Sequence, residues 1–261
     1  MMENIIMNLS GMYAGEKLEE ALSGASDVDL TGLDGTNCYC DAESAEAIRR
    51  SIAGLPLHAV HWIDTGDYHY ISRFWLEKVV AEHPGRPFAL VLFDHHPDMQ
   101  EPAFGQVISC GGWARDAFSS IDELGQVLLL GINPDLELEI LDLVFDGVLA
   151  VTSDDFRHTG DGIGNDVVEM LSLLDPGVPV YVSIDLDVMT EEYARTDWDQ
   201  GTMTLPQLES VLSVIARSHE IIGVDICGGI TRSKGASDSD MDLNLKTCRE
   251  ISSFVDNLLE R

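Results

Sequence analysis

Two stretches decide the reading of this chain: FALVLFDHHPD, residues 88–98, and VPVYVSIDLD, residues 178–187. Each is a continuous apolar run that ends abruptly in acids. Runs without polar alternation are what strands of a parallel sheet require when helices cover both faces. Ligands of such open sheets bind at the carboxyl ends of the strands, so the acids appended there carry the functional information. Side chains alternate along a strand, which puts Asp94 and His96 on one side and Asp185 and Asp187 on one side. Pro97 ends the first strand and stiffens the turn that returns Asp98. If the two ends are neighbours, at least four carboxylates and an imidazole converge. Unneutralised in a low-dielectric site they would have to protonate; divalent cations remove the conflict, and mixed carboxylate and imidazole donors suit Mn²⁺, Fe²⁺, Zn²⁺ or Co²⁺.

Similar runs recur outward from these two: LHAVHWI (57–63), QVLLLGI (126–132), GVLAVT (147–152) and EIIGVDI (220–226). Between them, helical spacing predicts helices over Tyr70–His83, Gly111–Phe118, Leu136–Phe145, Asn165–Leu174, Leu205–Ser218 and near Leu243–Leu259. The alternation predicts an α/β fold of three αβα layers around a doubly wound, mostly parallel sheet, in one domain over residues 1–261. Ser44–Ser51 reads as helical, and IIMNLSG near the start as an edge strand. Five runs end in acids, at Asp64, Asp94, Asp154, Asp185 and Asp225, which suggests a shared acidic crevice.

Composition narrows the partners. The 261 residues carry 46 acidic against 15 basic side chains, a formal charge of −31 that argues against nucleic acid or an anionic membrane, both of which need surplus Lys and Arg. No apolar run is long enough to span a bilayer, and the start MMENIIMNLS lacks a basic leader, so a soluble, cytoplasmic protein is expected. The five cysteines are scattered without the spacing of a zinc or redox pair and fit a reducing compartment. The expected partner is a small-molecule substrate.

The order Asp-x-His-x-Asp after a hydrophobic strand, then Ser183-Ile184-Asp185-Leu186-Asp187 far downstream, resembles the arginase, agmatinase and formiminoglutamase family of ureohydrolases. Gly66-Asp67-Tyr68-His69 stands where that family has a further histidine ligand. The resemblance covers roughly residues 57 to 230 and implies an arginase- or deacetylase-like fold. It also implies two Mn²⁺ per chain, one held by His69, Asp94, Asp98 and Asp185, the other by Asp94, His96, Asp185 and Asp187. A hydroxide between the ions, steered by Asp98, would attack the carbon of a small amidine or amide. Homo-oligomers are common in the family.

Departures stand beside these matches. Where the family has a proton-shuttling histidine, this chain has Ser109-Cys110-Gly111-Gly112; where it has a guanidinium-gripping glutamate, Gly228 stands. The Asp-Pro expected after the second acid pair is replaced by Val188-Met189-Thr190. Cys110, beside a Gly-Gly that would open a helix and lower its pKa, and His158, after a strand end, are candidates for the missing catalytic group. Asp154, Asp155 or Asp199 could replace the glutamate, Trp198 could touch substrate, and Asp225 reads as a group that orients a ligand. Two other readings accompany the hydrolase: a single-zinc, deacetylase-like amide hydrolase built on Asp94, His96 and Asp185, and a metal-binding relative without turnover.

Overall fold

The computed structural model describes residues 2–22, 24–102, 105, 107–141, 143, 147–157 and 159–259. Along them run β1 (Asn4–Asn8), α1 (Met12–Glu16), α2 (Leu18–Ala21), β2 (Ser26–Asp29), β3 (Tyr39–Cys40), α3 (Ala42–Ile52), β4 (Val60–Trp62) and α4 (Ser72–Glu82). Then follow β5 (Phe88–Phe93), β6 (Ile108–Ser109), α5 (Trp113–Ser120), β7 (Leu124–Ile132), β8 (Val148–Thr152), α6 (Asn165–Leu171), β9 (Val180–Asp185), α7 (Leu205–Ser218), β10 (Ile221–Cys227) and α8 (Asp238–Leu259).

Alternation along β5 explains the layers. Ala89, Val91 and Phe93 point into one core with residues of α1, α6, α7 and α8, such as Leu208, Leu212 and Ile251. Phe88, Leu90 and Leu92 point into the other, with Ile48, Phe74, Trp75, Trp113 and Ala117 of α3, α4 and α5. Burying one such side chain is worth about 1.5–3 kcal/mol, so a strand apolar on both faces holds helices on both faces. Local signals start the helices. Asp41 accepts the Ser44 amide at 2.8 Å to open α3, and Thr204 and Gln207 cap each other reciprocally at the start of α7.

The sheet has the order β2-β1-β4-β10-β9-β5-β7-β8, and each adjacent pair is parallel. After β4 the chain skips two places to β5, and β9 and β10 later fill the gap. The direction of winding reverses there, so the carboxyl ends of β4, β10, β9 and β5 surround the crevice where ligands of such sheets bind. The αβα reading from the sequence holds, with a sheet that is parallel throughout.

Two elements differ from the sequence reading. IIMNLSG supplies β1, which is not an edge: it pairs with β4 on one side and β2 on the other. β2 is Ser-Asp-Val-Asp, alternately exposed, too short and polar for an apolar pattern to reveal. The helix expected over Leu136–Phe145 is a 3₁₀ turn, Pro134–Glu139, opened by Asn133 accepting the Asp135 amide; residues 142 and 144–146 lie outside the described residues. A two-strand antiparallel ribbon of β3 and β6 sets Tyr39 opposite Ser109 and lays Cys38 against Cys110 at the rim of the crevice. Among the described residues, no helix is long and apolar enough to cross a membrane.

Candidate metal centre

Asp94 follows the last residue of β5, and Asp185 ends β9, the neighbouring strand. Their carboxylates form the floor of a cavity of about 320 Å³ whose walls include His69, His96, Asp98, Cys110, Glu139 and Asp187. His69 sits on a fully buried 3₁₀ turn, Gly66–Ile71, between β4 and α4. Its Nδ1 lies 3.0 Å from Asp98 Oδ2, 3.2 Å from Asp94 Oδ2 and 3.5 Å from Asp185 Oδ2. On the other side of Asp94, His96 Nδ1 lies 2.9 Å from Asp187 Oδ2 and 3.5 Å from Asp94 Oδ1. Two of the resulting donor groups, His69–Asp94–Asp98 and Asp94–His96–Asp187, share Asp94, and His69 also meets Asp185 and Cys227 in a third.

The backbone is bent to achieve this. Asp98 has φ +51°, a left-handed conformation that an L-residue with a side chain rarely adopts, immediately after Pro97. The surroundings hold it there: Trp113 Nε1 donates to Asp98 Oδ2 at 2.6 Å, and the Asp98 carbonyl accepts the amides of Ala114 and Arg115. Strain of this kind, over-determined by neighbours, collects at functional sites.

The orientation of His69 follows from a hydrogen-bond chain. The Ser183 hydroxyl donates its one proton to Asp225 Oδ1 at 2.5 Å, so its oxygen accepts from His69 Nε2–H at 2.9 Å. Nε2 being the donor, Nδ1 faces the three carboxylates as the atom available to a cation. Asp225 therefore acts through Ser183, as the sequence suggested, and touches nothing in the cavity.

Charge compensation shows what the donors suit. Burial, then the neighbouring charges of Asp187 and Asp94, push Asp185 well above the usual carboxylate range; burial and the Asp94 charge raise Asp187 as well. Burial opposes charge on the imidazoles, yet hydrogen bonds and charge from the facing carboxylates outweigh it, lifting His69 well above its ordinary range and His96 to about 12. Protons are thus held where the donor set, carboxylates and imidazoles aimed at common points, fits divalent cations.

The remaining sequence candidates separate cleanly. Cys110 lines the cavity at the start of a 3₁₀ turn leading into α5, but burial and then the Asp98 charge push its thiol pKa up, the reverse of the activation expected from a helix start. His158 lies outside the described residues. Of the five acid endings, only Asp94 and Asp185 reach the cavity. Asp64 instead clamps β1 to β4, accepting the amides of Leu9 and Ser10 at 2.8 Å each. Asp154 is paired with Arg157 and Asp155 caps Thr152, so neither replaces the glutamate missing at Gly228. Trp198 does form a wall, its ring edge-on to His96 with centroids 5.6 Å apart.

Four residues that spacing did not single out complete the site: Trp113 and Ser183, already described, Cys227 and Glu139. Glu139 ends the Pro134–Glu139 turn and lines the cavity, and its Oε2 is buried without a hydrogen-bond partner. An acid in the first turn of an expected helix gave no signal of its own.

Fold and site together define an α/β protein with a candidate divalent-metal centre at its topological switch. Residues 18–228 match the model of the arginase family, and the chain belongs to that family. An uncharacterized protein of Thermotoga maritima is 30% identical over 224 residues, spanning 85% of this chain and 78% of its own. Among solved structures, proclavaminate amidino hydrolase from Streptomyces clavuligerus superposes with a TM-score of 0.72 at 17% identity, covering 99% of this chain and 92% of its own. Formimidoylglutamase from Bacillus subtilis gives 0.68 at 18% identity, covering 99% and 88%. At these identities the structural likeness speaks to the fold.

Proposed function

We propose that this protein is a metal-dependent hydrolase of a carbon–nitrogen bond in a small amidino or guanidino compound, with two divalent ions held by His69, Asp94, His96, Asp98, Asp185 and Asp187. The observation that carries the reading is the pair of donor groups, buried but for the half-buried His96, that share Asp94 at the floor of a cavity of about 320 Å³, small enough to exclude a polymer. Bound there, a pair of divalent ions would acidify a water and polarise the carbon under attack.

The chain's own groups divide the remaining work. Asp225 and Ser183 fix the His69 ring, and Trp113 anchors Asp98 through the same carboxylate oxygen that faces His69. Trp198 closes one wall against bulk water. Glu139, with its unpartnered oxygen, takes the cationic end of the substrate in place of the glutamate absent at Gly228. Membership of the arginase family supports carbon–nitrogen hydrolysis, and the activities named for the two solved structures, an amidino hydrolase and a formimidoylglutamase, support this substrate class.

The test is elemental analysis of the purified protein together with release of amine or urea from a panel of amidines, guanidines and amides after loading with Mn²⁺, Zn²⁺, Co²⁺ or Fe²⁺. Two ions per chain and turnover of a cationic amidine or guanidine are expected, with Glu139→Gln raising KM by roughly 10- to 100-fold, the cost of one charge-assisted hydrogen bond. One ion per chain would favour the single-zinc amide hydrolase. No turnover with any metal would leave the chain a metal-binding relative.

A further inference from the structure

Cys227 ends β10 in register with Asp185, the last residue of β9. It is fully buried, and its sulfur lies 3.0 Å from Asp185 Oδ2, the same oxygen that faces His69 Nδ1 at 3.5 Å. His69, Asp185 and Cys227 place one ligand atom each within 4.8 Å of one another. Three donors of different chemistry converge there, on the His69 side of the centre and away from His96. A thiol buried only for packing has no need to direct its sulfur at a carboxylate that also serves an imidazole.

Building on the metal-centre reading above, we propose that Cys227 is a ligand of the ion on the His69 side, and that this position therefore favours Zn²⁺, Co²⁺ or Fe²⁺ over the Mn²⁺ expected from the resemblance. The thiol proton leaves to solvent as the sulfur–metal bond forms. Thiolate is the softest donor the protein offers and manganese the first-row ion that gains least from it, so one sulfur changes the order of preference even where the other donors are oxygen and nitrogen. The other ion, held by Asp94, His96 and Asp187, keeps an oxygen and nitrogen set. The two positions thus differ in the metal they select.

Cobalt substitution tests this without relying on turnover. Protein loaded with Co²⁺ is assayed by elemental analysis for bound ion and by absorption for the near-ultraviolet sulfur-to-cobalt charge-transfer band. The band is expected in the wild type, retained in Cys38→Ala/Cys110→Ala, which removes the two cysteines lining the cavity, and lost in Cys227→Ala. Zn²⁺ preference over Mn²⁺ should fall about tenfold or more in Cys227→Ala, the scale of losing one supporting interaction at a metal site. Cobalt bound with no charge-transfer band, or a band lost in the double variant, overturns the proposal while leaving the metal centre standing. The double variant decides the matter even if Cys227→Ala fails to fold. Protein that binds no cobalt overturns the metal-centre reading and this proposal together.

Discussion

Substituting alanine for Gly228 probes the point at which this chain departs from its family. Gly228 has φ +95°, and a Cβ built there would lie 2.5 Å from Asp185 Oδ1 and 2.8 Å from the Leu186 amide nitrogen. Neither atom can give way cheaply. Asp185 Oδ1 accepts the Asp187 amide at 2.9 Å, Leu186 N is backbone, and Gly228 is itself tied by its amide to the Asp64 carbonyl. The left-handed backbone costs an L-residue about 1–2 kcal/mol, and forcing a methyl into packed space costs about 1–3 kcal/mol more. Gly228→Ala should therefore lose roughly 2–5 kcal/mol, which for 261 residues with an unfolding entropy of about 2.1 cal/mol/K per residue is a fall in Tm of roughly 4–9 °C. If Asp185 swings aside instead, the loss appears in metal content. Gly228→Glu brings the same Cβ, so a glutamate at this position should not raise guanidine turnover above that of the wild type. Thermal melts with and without chelator, paired with elemental analysis, read both channels. Gly228→Ala with wild-type Tm and wild-type metal content would refute the steric argument, and Gly228→Glu with raised guanidine hydrolysis would refute the assignment of Glu139 as well.

Two further outcomes follow from groups outside the cavity. Burial, moderated by the Asn244 amide, raises Glu16 from 4.5 to about 8. The folded state therefore holds this proton more tightly than the unfolded one, and stability present in full below about pH 4.5 is lost as pH rises to about 8, by at most about 5 kcal/mol at 1.36 kcal/mol per unit. Glu16→Gln should raise Tm above pH 8 and leave it unchanged near pH 4.5, a difference that melts across the range will show. Ser183→Ala removes the link between Asp225 and His69 Nε2. Metal affinity by chelator competition should fall roughly 10- to 100-fold with an unaltered circular dichroism spectrum; an unchanged affinity would mean the ring is held by packing alone.

How much of this was legible in the sequence depended on what each element has to satisfy. β5 is buried and apolar throughout, and β7, β9 and β10 are apolar apart from Gln126, Ser183, Asp185 and Asp225, so the runs stood out. β2 lies at the edge and shows the solvent every second residue, so it reads as loop. β3 and β6 are two residues each and are strands only because they meet each other across a long separation in sequence. The Pro134–Glu139 turn was misread as the start of a helix, since helical spacing and a 3₁₀ turn share their first few positions.

The site divides along the same line. Asp94 with His96, and Asp185 with Asp187, were readable because each pair belongs to one strand end, where a period of two fixes the side that both face. His69 needed the family resemblance, because it lies on a separate turn. Trp113, Ser183, Cys227 and Glu139 needed the register between elements: Cys227 means nothing until β10 is slid against β9 and lands opposite Asp185. The five acidic strand ends looked equivalent for the same reason, yet Asp64 turns to backbone amides, Asp154 to Arg157 and one oxygen of Asp225 to a serine, leaving Asp94 and Asp185 for the cavity. The candidate ligands themselves lie at or just beyond the ends of β5 and β9 and on the His69 turn, so only their position along the chain, not their contacts, could be read in advance. The cavity wall carries five carboxylates and no lysine or arginine among the described residues. Four of those carboxylates belong to the candidate donor groups. Glu139 does not, and its buried, unpartnered oxygen is the place where a cationic substrate would register its charge.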